Sequence, residues 1–194
     1  MTPATKGNRV WSWCAPMLLA AAVGFAFAGC GNRADASPGP APSRTPASTP
    51  TAELRRLDSD AIQREMKTAR GRTLFVHLWA SWCGPCLEEL PLIDRFARAA
   101  RARGAVVLSI SLDTSSFAIG RLPILLRARA PNLTAIVARY DDPDRFISLF
   151  SKSWEGAIPA LFVFDRAGKL ERSLIGETER AELDALVAEL PPSR

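Results

Sequence analysis

Two cysteines three positions apart, at the junction between an apolar run and an amphipathic segment, constrain this chain more than any other feature. Residues 74–79 are a nearly continuous apolar run, the pattern of a strand that is buried on both faces. From Leu87 onward, apolar residues recur with the period of an amphipathic helix, which Gly104 ends. The sequence therefore predicts a strand, a short turn that carries Cys83 and Cys86, and then a helix.

The predicted position of Cys83 favours thiol chemistry. A helix N-terminus stabilises negative charge, because its first N–H groups are unpaired and the helix dipole is positive there. We therefore expect the pKa of the Cys83 thiol to lie below that of a free cysteine, and the thiolate is the reactive form. Cys86 lies one helical turn further on, faces the same side and should be less exposed, so that it can resolve a mixed disulfide formed at Cys83.

A disulfide with a purely structural role and a metal site are two other uses of a cysteine pair. An inert disulfide across so short a loop would add little stability, since disulfide stabilisation grows with loop length. A zinc site needs about four ligands, whereas this sequence has no second Cys-x-x-Cys and a single histidine. We therefore expect no metal and no resident cofactor. A copper(I) carrier needs only two thiolates and stays open as an alternative.

These residues resemble the thioredoxin superfamily, and more narrowly its extracytoplasmic TlpA/ResA-like branch of thiol-disulfide oxidoreductases, which includes bacterial lipoproteins. The run Trp82–Cys86 is identical to the thioredoxin active-site pentapeptide Trp-Cys-Gly-Pro-Cys, and residues 79–82 are similar to the approach to it. Pro91 matches a proline of the family's active-site helix. Residues 156–169 resemble the loop with a cis proline, the strand and the tight turn that follow in the family. The resemblance covers roughly residues 58–190.

The resemblance implies an α/β, thioredoxin-like fold with a mixed central β-sheet flanked by helices. The stretch between the second strand and the cis-proline loop matches an insertion typical of the TlpA-like branch. Between residues 51 and 73 the sequence predicts a helix only, without the N-terminal β-hairpin of that branch. The sequence patterns predict strands over 73–79, 105–111, 133–139, 160–164 and 169–175, and helices over 58–70, 84–103, 117–130 with a break near Pro123, 144–154 and 179–190.

The resemblance also assigns roles in the site. Cys83 would be the nucleophile and Cys86 the resolving cysteine. Pro159 would be the cis proline facing them, and the backbone of Ile158 would pair with a substrate strand. The alternative is an ordinary trans proline that opens an edge strand. The remaining residues expected to bind substrate are Trp82, Gly84 and Pro85.

Two titratable residues near the cysteines are further candidates. Glu89 follows Cys86 by three residues in the arrangement Cys-x-x-Cys-x-x-Glu-x-Pro of the TlpA/ResA-like branch, where this glutamate is thought to assist the protonation changes of the cysteines. Its carboxylate would take the proton of Cys86, or Glu88 and Glu89 simply complement the helix N-terminus. His77 stands where thioredoxin has a buried aspartate. It would shuttle a proton or lower the pKa of Cys83, or be a satisfied core histidine, which we favour.

The first 30 residues have the pattern of a bacterial export signal. Lys6 and Arg9 precede an apolar run, and no acidic residue occurs in this segment. The run ends in Phe-Ala-Gly-Cys, which resembles a lipobox, so that Cys30 would be diacylated and become the mature N-terminus. Two alternatives stay open: cleavage at the Ala-x-Ala pattern, which would leave a soluble protein, and an uncleaved anchor.

The next segment is rich in proline, alanine and serine, which cannot bury enough apolar surface to fold. We therefore expect a signal peptide over 1–30, an extended tether over 31–56 and a thioredoxin-like domain over 57–194. Without residues 1–30 the formal net charge falls from +5 to +3. The arginines of the active-site helix suggest a solvated helix face, so that we expect no nucleic-acid partner.

The sequence thus predicts a thiol-disulfide oxidoreductase held at the periplasmic side of the cell envelope by a lipid anchor. Its Gly-Pro dipeptide is that of thioredoxin, whose potential is about −270 mV, against about −120 mV for the oxidant DsbA. This favours a monomeric reductase of exported proteins with cysteine pairs, recharged by a membrane electron donor. The alternatives are a disulfide oxidase or isomerase on the same fold, and the copper(I) carrier.

Overall fold

The computed structural model describes residues 54–191 of the 194-residue chain. The predicted signal peptide, Cys30 and nearly all of the predicted tether lie outside the described residues. Within 54–191, no helix has both the length and the apolar character needed to cross a bilayer.

A six-stranded mixed sheet forms the centre of the domain, in the order β1-β4-β3-β2-β5-β6. The first four strands of that order run parallel to one another, β5 runs antiparallel to β2, and β6 runs antiparallel to β5. This confirms the predicted α/β class and thioredoxin-like sheet. The strands are β1 Arg55–Asp58, β2 Leu74–Trp79, β3 Val106–Ser111, β4 Ala135–Arg139, β5 Ala160–Phe164 and β6 Leu170–Ile175; the helices are α1 Ser59–Thr68, α2 Gly84–Ala102, α3 Ser116–Arg129, α4 Pro143–Ser148 and α5 Arg180–Ala188.

The strand that precedes the cysteines is the most buried part of the sheet. All six residues of β2 are buried, as its apolar run predicts. Phe75 of β2 meets Phe96 of α2 edge to face at 4.9 Å, which fixes α2 over one face of the sheet. On the other face, stacked and edge-on aromatic rings cover β5, through contacts among Phe146, Phe150, Trp154 and Phe162. The active-site helix therefore packs on a buried strand of a sheet whose other face is covered by aromatic side chains.

The prediction that residues 51–73 hold a helix only is wrong. Arg55–Asp58 form β1, which pairs in parallel with β4 in the register Arg55↔Ile136. Two residues of the predicted tether, Arg55 and Arg56, therefore belong to the sheet. The strand lies at the sheet edge and its first two residues are exposed, so that no apolar alternation marks it in the sequence. Its hydrogen bonds to β4 define it instead.

Two predicted helices also differ from the observed ones. Helix α3 continues through Pro123 without the predicted break, because Ile119, Leu122 and Leu126 on both sides of the proline are buried against the core. Helix α4 ends at Ser148 and not at residue 154. The residues after it form turns whose buried aromatic side chains belong to the cluster over β5, which explains why their spacing resembled that of a helix.

Candidate active site

Cys83 is the N-cap residue of α2, as the sequence predicts. Its backbone is extended, and its Sγ atom accepts the N–H of Cys86 at 3.2 Å. Gly84 and Pro85 form the first turn, where a proline removes no helical hydrogen bond. The sulfur of Cys83 thus lies where the free N–H groups and the helix dipole stabilise a thiolate.

The two cysteines form a disulfide bond. Cys83 is 7% exposed and Cys86 is fully buried, as its position one turn further along α2 predicts. A substrate therefore meets Cys83 first, and the sulfur of Cys86 is available only from within the protein. This is the asymmetry that a nucleophilic and a resolving cysteine require.

The loop before β5 lies against the disulfide. The Ile158–Pro159 peptide bond is cis, as the resemblance implies. The Sγ atom of Cys83 lies 3.9 Å from the carbonyl oxygen of Ile158. Since 75 residues separate the two in the chain, the fold and not the local sequence brings them together.

An exposed apolar surface borders the cysteines. Trp82, immediately before Cys83, is 67% exposed, and both Gly84 and Pro85 are exposed as well. An open groove of about 550 Å³ begins at Ser81 and Leu87 and continues along α3. The other residues that line it include Phe117, Arg121, Leu122, Ile124, Leu125 and Ala128.

Glu89 and His77 form a buried pair. The Nε2 atom of His77, on β2, lies 2.9 Å from Oε1 of Glu89, on α2, and the backbone N–H of Thr178 donates to Oε2 at 3.3 Å. Glu88 is exposed, whereas Glu89 points into the protein and not into the solvent around the helix N-terminus. The expectation of a satisfied core histidine is only half right, because Nδ1 of His77 has no hydrogen-bond partner among the described residues.

Sequence reasoning missed Asp113, which is buried two residues after the end of β3. Its carboxylate accepts hydrogen bonds from the N–H of Ser81 at 2.9 Å, from the hydroxyl of Ser81 at 2.6 Å and from that of Ser111 at 2.6 Å. The available signal was an acidic residue two positions after the predicted strand 105–111, at the carboxyl edge of the parallel part of the sheet. Through its hydrogen bonds to Ser81, Asp113 holds the turn that leads to Cys83.

Comparison with known proteins agrees with this geometry. The model of the Redoxin family matches residues 42–187. The thiol-disulfide oxidoreductases ResA of Bacillus cereus and Bacillus anthracis are 23% and 22% identical over 135 residues, which cover 70% of this chain and 73% of each relative.

Solved structures show the same fold. A thiol:disulfide interchange protein of the thioredoxin family from Chlorobium tepidum superposes with a TM-score of 0.52 at 20% identity, covering 64% of this chain and 83% of its own. The thioredoxin domain of a thiol-disulfide oxidoreductase from Bacteroides vulgatus superposes with a TM-score of 0.51 at 16% identity, covering 63% of this chain and 81% of its own. The chain belongs to the Redoxin family and is a ResA/TlpA-like thiol-disulfide oxidoreductase of the thioredoxin superfamily.

Proposed function

We propose that this enzyme reduces disulfide bonds in exported proteins through Cys83 and Cys86. The thiolate of Cys83 attacks a substrate disulfide, which forms a mixed disulfide and releases one substrate thiolate. Cys86 then attacks the sulfur of Cys83 and releases the second. The substrate gains two electrons, and the enzyme is left as the disulfide. The observation that carries the proposal is the position of Cys83 as the N-cap of α2, 7% exposed, with Cys86 fully buried behind it.

The residues between the cysteines support the reducing direction. Gly84 and Pro85 are the thioredoxin dipeptide, and thioredoxin has a potential of about −270 mV. An enzyme of that potential in an oxidising compartment needs a continuous supply of electrons. We therefore assign it a membrane partner that reduces the Cys83–Cys86 disulfide by dithiol exchange.

The surface around the cysteines supports a polypeptide substrate. Trp82 and the groove along α3 offer exposed apolar area that a small thiol such as glutathione would not fill. The backbone of Ile158 lies beside Cys83, where an extended segment that carries the substrate cysteine would pair with it. Substrates are therefore proteins with accessible cysteine pairs.

Glu89 is the group we assign to accept the proton of Cys86. It follows Cys86 by one helical turn, is buried, and presents a carboxylate on the inner side of α2. Cys86 must lose its proton before it attacks the mixed disulfide, and no solvent reaches its buried sulfur. A positioned carboxylate supplies the base.

The N-terminal sequence supports a location at the periplasmic face of a membrane. A diacylated Cys30 would anchor the chain, and the proline-rich segment before β1 would let the domain reach its substrates. This places a low-potential dithiol beside both exported proteins and a membrane electron donor.

The reduction potential of the Cys83–Cys86 pair tests the direction. Equilibration with dithiothreitol or glutathione buffers, followed by alkylation and mass spectrometry, measures it directly. We expect a value near that of thioredoxin, about −270 mV. A value well above about −200 mV would favour the disulfide oxidase or isomerase instead.

A further inference from the structure

We propose that His77 is a positioning residue. Its Nε2–H holds the Glu89 carboxylate in the orientation in which Glu89 takes the proton of Cys86, and His77 itself exchanges no proton with the cysteines. The inference rests on the role proposed above for Glu89, but not on the reducing direction of the enzyme.

The hydrogen bonds of the carboxylate define its orientation from three elements. Glu89 belongs to α2, His77 to the central strand β2, and Thr178 to the segment between β6 and α5. One oxygen faces Nε2 of His77 at 2.9 Å and the other accepts the N–H of Thr178 at 3.3 Å. A glutamate side chain has several rotamers, and these two bonds restrict it to one.

The two ring nitrogens of His77 have different surroundings, which determine its tautomer. A proton-accepting Glu89 is an ionised carboxylate, which only accepts hydrogen bonds, so that in this state Nε2 carries the hydrogen of the contact. Nδ1 is buried and has no partner in the described part of the chain. A hydrogen on Nδ1 would be a buried donor without an acceptor, which is unfavourable. His77 is therefore a neutral imidazole that donates to Glu89.

This tautomer argues against a proton shuttle. To receive the proton of Cys86, His77 would have to become a cation with an unpaired N–H at Nδ1 in the interior of the protein. Its rigid position on the sheet, between Ser109 of β3 and Leu161 of β5, suits a fixed donor better. Glu89 keeps free lone pairs for the proton.

In the resolving step, the proton of the Cys86 thiol moves to a Glu89 oxygen, and the resulting thiolate attacks the sulfur of Cys83. The Cys83–Cys86 bond forms, the bond from Cys83 to the substrate sulfur breaks, and its electron pair leaves on that sulfur. The enzyme is oxidised and the substrate reduced, and the carboxyl proton later passes to the departing thiolate or to water.

The experiment separates attack by Cys83 from resolution by Cys86. Reduced full-length enzyme is mixed with a peptide that carries a mixed disulfide, quenched in acid at intervals, and analysed by mass spectrometry for the enzyme–peptide adduct. The variants are His77→Gln, whose amide lies near the position of Nε2, and His77→Asn, whose amide lies near that of Nδ1. His77→Leu, Glu89→Gln and the double variant His77→Leu/Glu89→Gln complete the set.

We expect Glu89→Gln to slow resolution about 100-fold, within the usual range for loss of a general base. His77→Leu and His77→Asn should slow it on the order of tenfold by misplacing the carboxylate, while His77→Gln stays within about threefold of wild type. The double variant should be no slower than Glu89→Gln. Attack by Cys83 should be unchanged throughout.

Asp94→Asn is the matched control, because Asp94 is a second buried carboxylate of α2, bound to Asn132 and outside the proposed proton route. It should leave both steps unchanged. Thermal melts check folding, and if His77→Leu does not fold, the comparison of Asn with Gln decides.

Three different results would contradict the proposed roles of His77 and Glu89. If His77→Gln resolves as slowly as His77→Leu, a titrating imidazole is needed and the positioning role is overturned. If His77→Leu and His77→Asn resolve normally while Glu89→Gln does not, His77 has no part and the role of Glu89 stands. If Glu89→Gln resolves normally, the proton acceptor proposed for the enzyme is itself wrong, whatever the reduction potential.

Discussion

The carboxylate of Asp113 accepts both the backbone N–H and the hydroxyl of Ser81, at 2.9 and 2.6 Å. Ser81 lies two residues before Cys83, and Asp113 follows the strand next to β2 in the sheet. The turn that carries the nucleophile is thereby tied to a neighbouring strand end through one buried side chain. Its geometry depends on a residue that no cysteine motif includes.

Replacing Asp113 with alanine should therefore destabilise the domain. The substitution leaves the N–H of Ser81 and the hydroxyl of Ser111 without their acceptor, and we expect a loss of about 2–4 kcal/mol in the free energy of unfolding. Urea denaturation measures it. Asp184→Ala, on the exposed face of α5, is the control and should change stability by less than about 0.5 kcal/mol. Equal stability of the two variants would show that the Asp113 hydrogen bonds contribute nothing.

Trp82→Ala should affect protein substrates and spare small ones. Its ring is 67% exposed beside Cys83, so that its removal deletes contact area without opening the core. We expect kcat/KM for a disulfide-bonded protein such as insulin to fall about tenfold, as for a central interface aromatic, and that for a small aromatic disulfide to stay constant. Ile175→Ala, an exposed apolar residue of β6, serves as the control. A parallel loss with both substrates would contradict a docking role for Trp82.

Cys86→Ala should trap substrates on the enzyme. Without the resolving thiol, the mixed disulfide at Cys83 cannot be released from within the protein. Expressed in a bacterial envelope, the variant should yield covalent adducts that disappear on reduction, visible on non-reducing gels. Cys83→Ala should give none, because Cys86 is fully buried. Adducts of similar amount with Cys83→Ala would reverse the assigned roles.

Cys30→Ser tests the anchor. If Cys30 is diacylated, its replacement should move the protein from the membrane fraction to the soluble fraction after cell disruption. Mass spectrometry of the wild-type N-terminus should show a lipid-modified cysteine. An unmodified Cys30 with an intact leader would identify an uncleaved anchor, and a cleaved, unmodified protein would be the soluble form.

Some elements of this fold can be predicted from the sequence, and others cannot. Contiguous sequence patterns predict three elements to within a few residues of their observed bounds: the strand 74–79, the helix that begins after Cys83, and the hairpin between β5 and β6. They do not predict strand β1, because an exposed edge strand carries no periodic signal and forms through its pairing with β4. The helix break predicted near Pro123 is wrong for a related reason: the burial of neighbouring side chains in the core outweighs the tendency of a proline to interrupt a helix.

The sequence by itself determined the chemistry of the site: two cysteines at a helix N-terminus, with Gly-Pro between them and a glutamate one turn later. Those features depend on residues a few positions apart in the chain, for which the backbone geometry of a helix determines which side chains lie close together. Only the tertiary structure decided what surrounds the cysteines. His77 and Glu89 are 12 residues apart, Ser81 and Asp113 are 32 apart, and Thr178 and Glu89 are 89 apart. Such contacts arise from strand register and helix packing, which join distant segments, so that no local pattern predicts them.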